Sequence, residues 1–214
     1  MTRFKEMSKS DKIYRLINYL FSFLMFTITT VLFVKMLLDK EASSTLKVRM
    51  LGPMSIILAI YLIEFILRFR VSNSVLLFYN IYVFFASFLG TAFSFYARIS
   101  FYDDIMHTLF GYVGCVVGLY LLIKMSDYKK MSIPFSMVMM FFVSMGCGAV
   151  WEIIEFACDS WFGAQCQGSG IQDTMGDIVN NFIGALVFET HYLLYRLTKK
   201  NLLVGNVVEE FLNK

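Results

Sequence analysis

Six apolar stretches, each long enough to cross a bilayer, constrain this chain of 214 residues more than any other feature. They run Leu16–Leu38, Met50–Phe69, Val75–Tyr96, Ile105–Lys124, Ile133–Ala157 and Thr174–Tyr195. A helix needs roughly 20 apolar residues to span the hydrocarbon core. Backbone in lipid must satisfy its own hydrogen bonds, so helices are the expected form, and the period-two alternation of barrel strands is absent. Both prolines, Pro53 and Pro134, fall in the first turn of an expected helix, where a missing N–H costs nothing. Composition agrees: 58% of the residues are hydrophobic and only 16% charged, against about 25% charged in a soluble domain. The expected fold class is therefore all-α, a polytopic membrane protein with six transmembrane helices. The basic N-terminus and the first apolar run superficially resemble a secretory signal. Lys35 to Lys40 follow that run instead of a small-residue cleavage site, so it is expected to be retained.

Lysine and arginine in the connecting segments set the orientation. With the N-terminus inside, the inner segments hold Arg3, Lys5, Lys9, Lys12, Arg15, Arg68, Arg70, Lys124, Lys129, Lys130, Arg196, Lys199, Lys200 and Lys214. The outer segments hold Lys35, Lys40, Lys47, Arg49 and Arg98. Both termini are expected in the cytoplasm. This topology brings three polar groups to the outer side: Tyr102–His107 at the start of the fourth span, Trp151–Asp159 at the end of the fifth, and Asp173–Asn181 at the start of the sixth. Residues 1–214 read as a single integral membrane domain, with 1–97 as scaffold and 98–197 carrying the polar site. In the scaffold, Glu64 is expected to pair with Arg68 one helical turn away.

Three helix faces share one design. Asp104, His107, Gly111, Gly114 and Gly118 advance at helical spacing along the fourth span. Gly148, Glu152, Glu155 and Asp159 do so on the fifth, and Asp173, Asp177, Asn180 and Gly184 on the sixth. Small residues let helices approach closely in lipid, and intramembrane charges turn to the bundle interior. The simplest packing joins the three stripes, glycines inward and carboxylates together at one mouth. Asp103 or Asp104 and Asp173 also suit helix caps.

Carboxylates gathered in low dielectric repel, so they must share protons, find a cationic partner or bind a metal. Arg98 is the one nearby cation. Asp104, His107, Glu152, Glu155, Asp173 and Asp177 are the candidate ligands of a divalent metal. Carboxylates with a single histidine suit Mg, Mn, Ca or Fe before Zn. Glu152, Glu155 and Asp177 are the candidate catalytic groups, and Arg98, Trp151, Asn180 and Asn181 the candidate substrate contacts. His191 is expected too near the inner end of the sixth span to join them. Cys158 and Cys166 are close enough in sequence to allow a disulfide, and Gly163–Gly170 could fold over the site. There is no phosphate-binding glycine loop, no Ser-His-Asp order and no basic nucleic-acid surface. Oligomeric state is not specified.

The motifs Asp103-Asp104-Ile-Met-His107, Trp151-Glu152-Ile-Ile-Glu155 and Asp173-Thr-Met-Gly-Asp177-Ile-Val-Asn180-Asn181 with Gly184-Ala185 resemble the YjdF-like bacterial inner-membrane proteins, a domain of unknown function. They are more distantly similar to the VanZ-like family associated with low-level teicoplanin resistance. That family typically has Glu-x-x-Gln where this chain has Glu152-x-x-Glu155, and basic residues before its last helix where this chain has none. The resemblance spans roughly residues 98 to 188. It implies a multi-pass protein of the bacterial cytoplasmic membrane acting on the cell envelope, and it supplies no reaction. Three functions follow from the residues: a metal-dependent enzyme acting on a lipid or lipid-linked envelope substrate, a transporter or binding protein for a cation or cationic solute, and a non-catalytic envelope protein.

Overall fold

The computed structural model describes residues 8–68, 70–200 and 203–213. Arg3, Lys5 and Lys214 of the charge count, and Phe69 at the end of the second expected span, lie outside them. The described residues are helical, without strands: α1 Lys9–Leu38, α2 Ser44–Arg49, α3 Leu51–Leu67, α4 Asn73–Val83, a π-helical stretch Phe84–Ala92, α5 Phe95–Arg98, α6 Tyr102–Met125, α7 Ile133–Phe162, α8 Ile171–Thr198 and α9 Leu203–Asn213. Serine hydroxyls cap three of the N-termini, Ser8 accepting from Asp11 N, Ser43 from Leu46 N and Ser72 from Val75 N.

Among the described residues five helical segments are long and apolar enough to cross a membrane: Lys9–Leu38, Ser44–Ile66, Val75–Ala92, Tyr102–Met125 and Ile133–Phe162. They match the first five expected spans. The sixth expected span corresponds to α8, which is long but falls outside this set. Asn180, Asn181, Glu189 and His191 dilute its apolar content.

The helices form two compact units, one from residues up to Ser100 together with Phe162–Gln165, the other from Phe101–Trp161 and from Cys166 onward. In the first unit α1 lies against α3, α4 and the π-helical stretch, with Met25, Ile57, Val83 and Phe88 as its apolar centre. Beside that centre runs a buried polar network. Arg15 Nη1 donates to Glu64 Oε1 at 2.9 Å, and Arg15 Nη2 to the Val71 carbonyl at 2.6 Å. Asn80 Nδ2 donates to Asn18 Oδ1 at 3.0 Å, and Ser22 and Tyr61 converge on Asn80 Oδ1. The expected Glu64–Arg68 pair is therefore corrected: Glu64 pairs with Arg15 of α1, both side chains buried, whereas Arg68 ends α3 in a left-handed conformation that breaks the helical register. Arg49 donates to the carbonyls of Ala164 and Gln165.

In the second unit glycines set the packing. A Cβ at Gly111 would stand 1.9 Å from the Asn181 carbonyl oxygen, and one at Gly184 would stand 1.8 Å from that of Thr108. α6 and α8 thus meet backbone against backbone. Gly114 and Gly118 admit α7 at Ser144 and Met140, and Gly148 admits the Asn181 side chain. Ser144 Oγ donates to the Gly111 carbonyl at 2.7 Å, a bond that only such close approach permits. At the other end α9 lies on α6 and α8. It buries Val204, Val208 and Phe211, residues at helical spacing, and Lys124 Nζ donates to the Phe211 carbonyl at 3.1 Å.

Candidate functional site

The glycine contacts bring the polar ends of α6, α7 and α8 together. His107, buried on α6, turns Nε2 toward Asp103 Oδ1 at 3.5 Å and Asp177 Oδ1 at 3.7 Å, and Nδ1 toward Glu152 Oε1 at 3.9 Å. Two sets of side chains have ligand atoms within 4.8 Å of one another: Asp103, His107 and Asp177, and Glu152, Glu155 and Asp177. Asp177 belongs to both. Glu152 and Asp177 are buried, Glu155 half-buried, and Glu152 Oε2 is buried without a hydrogen-bond partner. The Trp151 indole donates to Glu155 Oε1 at 2.9 Å and fixes that carboxylate. Among the described residues no lysine or arginine forms an ion pair with any of these carboxylates.

Other expected site residues lie at the edge or elsewhere. Asp104, expected as a ligand beside His107, is exposed and accepts from Asn180 Nδ2 at 2.6 Å. Asp103 takes its place in the geometry. It is four residues from His107, on the same helical face, and its carboxylate comes to 3.5 Å from Nε2. Asp173 is half-buried beside Gly168. Burial pushes its carboxyl above the usual carboxylate range and the charge of Asp103 adds to that, while His107 and the Gly168 and Ser169 amides pull it down. Asn181 is buried deeper, its Nδ2 directed to the Ser144 carbonyl and Met145 Sδ. Arg98 is exposed and belongs to the first unit. His191 lies away from the cluster, its Nδ1 3.3 Å from the Tyr112 hydroxyl.

Asp159 shapes the segment between α7 and α8. Its two carboxylate oxygens accept from the amides of Cys166 and Gln167 at 2.6 and 2.9 Å. Gly163 and Gly170 adopt positive φ there. Cys158 and Cys166 are separate thiols.

A shallow, open apolar groove lies beside the site, lined by Phe110 of α6 and by Val143, Gly146, Cys147, Val150, Trp151 and Ile154 of α7. Trp151 is common to both features: it walls the groove and holds Glu155. The signal for Asp103 was its four-residue spacing to His107. The groove had no signal beyond Gly146, which breaks the run of bulky residues on α7.

No solved structure matches the chain. An uncharacterized protein of Thermotoga maritima is 30% identical over 102 residues, which cover 48% of this chain and 53% of that protein. The match thus spans about half of that relative's length. The model of a family described as predicted membrane protein (DUF2238) matches residues 21–200. With its apolar helices and a match over most of its length, the chain belongs to this family of multi-pass helical membrane proteins.

Proposed function

We propose that the protein is a metal-dependent enzyme of the bacterial cytoplasmic membrane, acting on a lipid or lipid-linked envelope substrate. The observation that carries this reading is the spacing around His107. Separations of 3.5, 3.7 and 3.9 Å exceed the roughly 2.7–3.2 Å of a hydrogen bond. They are at or a few tenths of an ångström above the edges of a coordination polyhedron, which measure about 3.0–3.5 Å when bonds to the ion are near 2.1 Å, so a small inward shift of the carboxylates would close them on an ion. The unpartnered Glu152 Oε2 supplies a second reason, since a buried charged oxygen without a partner is costly. In this reading Asp103, His107, Glu152, Glu155 and Asp177 form the metal centre, while Asp104 and Asp173 serve the outer edge. Asn180 and Asn181 flank the site, and Trp151 positions Glu155.

The ion would be Mg, Mn, Ca or Fe before Zn, because oxygen donors outnumber the single nitrogen. It would polarise an ester or phosphate group, and a free carboxylate among Glu152, Glu155 and Asp177 would take the proton from attacking water. The lipid assignment rests on the groove, whose apolar wall shares Trp151 with the acidic cluster. A tail in the groove would lay the headgroup beside the carboxylates. In the orientation we adopt from the lysines and arginines of the connecting segments, α8 is the sixth span, both termini are cytoplasmic and the site faces outward.

The test is the divalent metal content of the detergent-purified protein beside Glu155→Ala and Asp177→Ala variants. Metal in the wild type, lost from both folded variants, is expected. Wild type that stays metal-free after exposure to Mg, Mn, Ca, Fe and Zn would overturn the reading. A second reading, a cation transporter, draws on Glu189, which is buried on α8 with both carboxylate oxygens unpartnered. Metal-independent ion flux in liposomes, abolished by Glu189→Gln, would favour it.

A further inference from the structure

We infer that this centre takes two divalent cations side by side, bridged by the Asp177 carboxylate; the inference rests on the metal-centre reading above. The two sets of ligand atoms are each compact within themselves and meet only in Asp177. One ion bonded at about 2.1 Å holds ligand atoms no more than about 4.2 Å apart, so each set, its atoms within 4.8 Å of one another, would close in slightly on an ion of its own. A carboxylate has two oxygens and can serve an ion with each.

Charge distinguishes one ion from two. Asp103, Glu152, Glu155 and Asp177 bring four negative charges. With all four ionised, one divalent ion leaves a net negative charge even with the His107 imidazole protonated, and among the described residues no lysine or arginine pairs with them, so a shared proton or a second ion must answer it. Two divalent ions cancel the four charges with His107 neutral, the form in which imidazole binds a metal. Glu152 shows the need most directly. It is 6% exposed, Oε1 stands 3.9 Å from His107 Nδ1, beyond hydrogen-bond reach, and Oε2 has no partner. An ion confined to Asp103, His107 and Asp177 would leave Glu152 Oε2 buried without a partner, with Thr174 the one hydroxyl beside that carboxylate.

The two half-sites differ in chemistry. Two carboxylates with an imidazole suit a borderline ion such as Mn or Fe, and the all-carboxylate half suits Mg, Ca or Mn. Mn is the one ion that fits both, and paired ions about 3.5–4 Å apart are how proteins clamp phosphate esters.

The experiment is loading of the full-length protein with Mn(II) in detergent, read by elemental analysis and by electron paramagnetic resonance. About two Mn per chain with the spectrum of a spin-coupled pair are expected. Asp103→Asn and Glu155→Gln should each fall to about one Mn with an uncoupled six-line signal, their fold checked by circular dichroism and size-exclusion profile. One uncoupled Mn in the wild type would overturn the pair while leaving a single-metal centre standing. Two Mn without coupling would overturn the bridge. Loss of all metal from both folded variants would show one shared ion and overturn the pair as well. No Mn in the wild type, nor any of the other divalent ions, would remove the metal reading itself.

Discussion

Replacing Gly184 by alanine tests whether the α6–α8 crossing builds the site. The new Cβ would stand 1.8 Å from the Thr108 carbonyl oxygen and 3.0 Å from Tyr112 N. Carbon and carbonyl oxygen approach to about 3.3 Å, so the helices would have to part by about 1.5 Å at that point. The obstacle is backbone, and no rotamer change can relieve it. Overpacking of this kind costs about 1–3 kcal/mol. The upper end applies here, less the gain of about 1 kcal/mol that alanine brings to a helix over glycine. His107 on α6 and Asp177 on α8, 3.7 Å apart across the crossing, would separate to about 5 Å, too far to share an ion with bonds of about 2.1 Å. Thermal unfolding in detergent and Mn(II) titration should therefore fall together. Gly176→Ala and Gly146→Ala are the controls, since nothing lies within 4 Å of a Cβ at either position. They should leave stability unchanged or slightly raised, with Mn binding intact. A Gly184→Ala protein as stable as Gly176→Ala, and binding Mn as well, would refute the close crossing and its role.

Three further outcomes are expected. Trp151→Phe removes the indole N–H from Glu155 and should weaken Mn binding about 10–100-fold by calorimetric titration, the usual effect of losing a bond that orients a ligand; unchanged affinity would mean the bond does not hold the carboxylate. Gly146→Leu puts a branched side chain into the groove at a position where a Cβ meets nothing within 4 Å. It should abolish photolabelling of α7 by a diazirine-tailed phospholipid while leaving Mn stoichiometry untouched, and equal labelling would remove the groove as a tail site. Arg15→Met strands Glu64 in the first unit and should cost about 3–5 kcal/mol in unfolding measurements, most of it recovered in the Arg15→Met/Glu64→Leu double variant; a double variant no better than the single would refute the pairing.

The helical periodicity of the glycines and acids was enough to bring three faces together, because close helix packing in lipid demands small residues on the side that also carries charge. Gly111, Gly114, Gly118, Gly148 and Gly184 all lie at helix contacts. The choice between Asp103 and Asp104 was not legible. Three and four residues from His107 are both on its face, and the first turn of a helix leaves side chains free to swing either way. Glu64 misled for a related reason. A cation one turn away is visible in sequence, whereas its partner Arg15 lies 49 residues off and becomes adjacent only once α1 packs on α3. The pattern Val204, Val208 and Phe211 suits one face of a helix, but eleven residues are too few to span a bilayer, and nothing in the sequence says which helices that face would meet. The π-helical stretch at Phe84–Ala92 left no mark in a run of phenylalanines that suits an ordinary helix equally well.

The close seat of α8 against α6 bears on how the chain is made. α8 is more polar than the five apolar helical segments, and an acidic side chain at the centre of an isolated helix costs about 2.5–3.5 kcal/mol to insert. With Gly184 against Thr108 and Gly111 against Asn181, its asparagines and acids are screened by a neighbour synthesised some seventy residues earlier. As a sixth span, α8 would enter the bilayer only as the partner of a helix already there. The insertion machinery would then have to keep α6 within reach until α8 emerges from the ribosome. A nascent chain arrested before Ile171 should accordingly remain crosslinkable to the translocation channel through α6, and be released from it once α8 has been made.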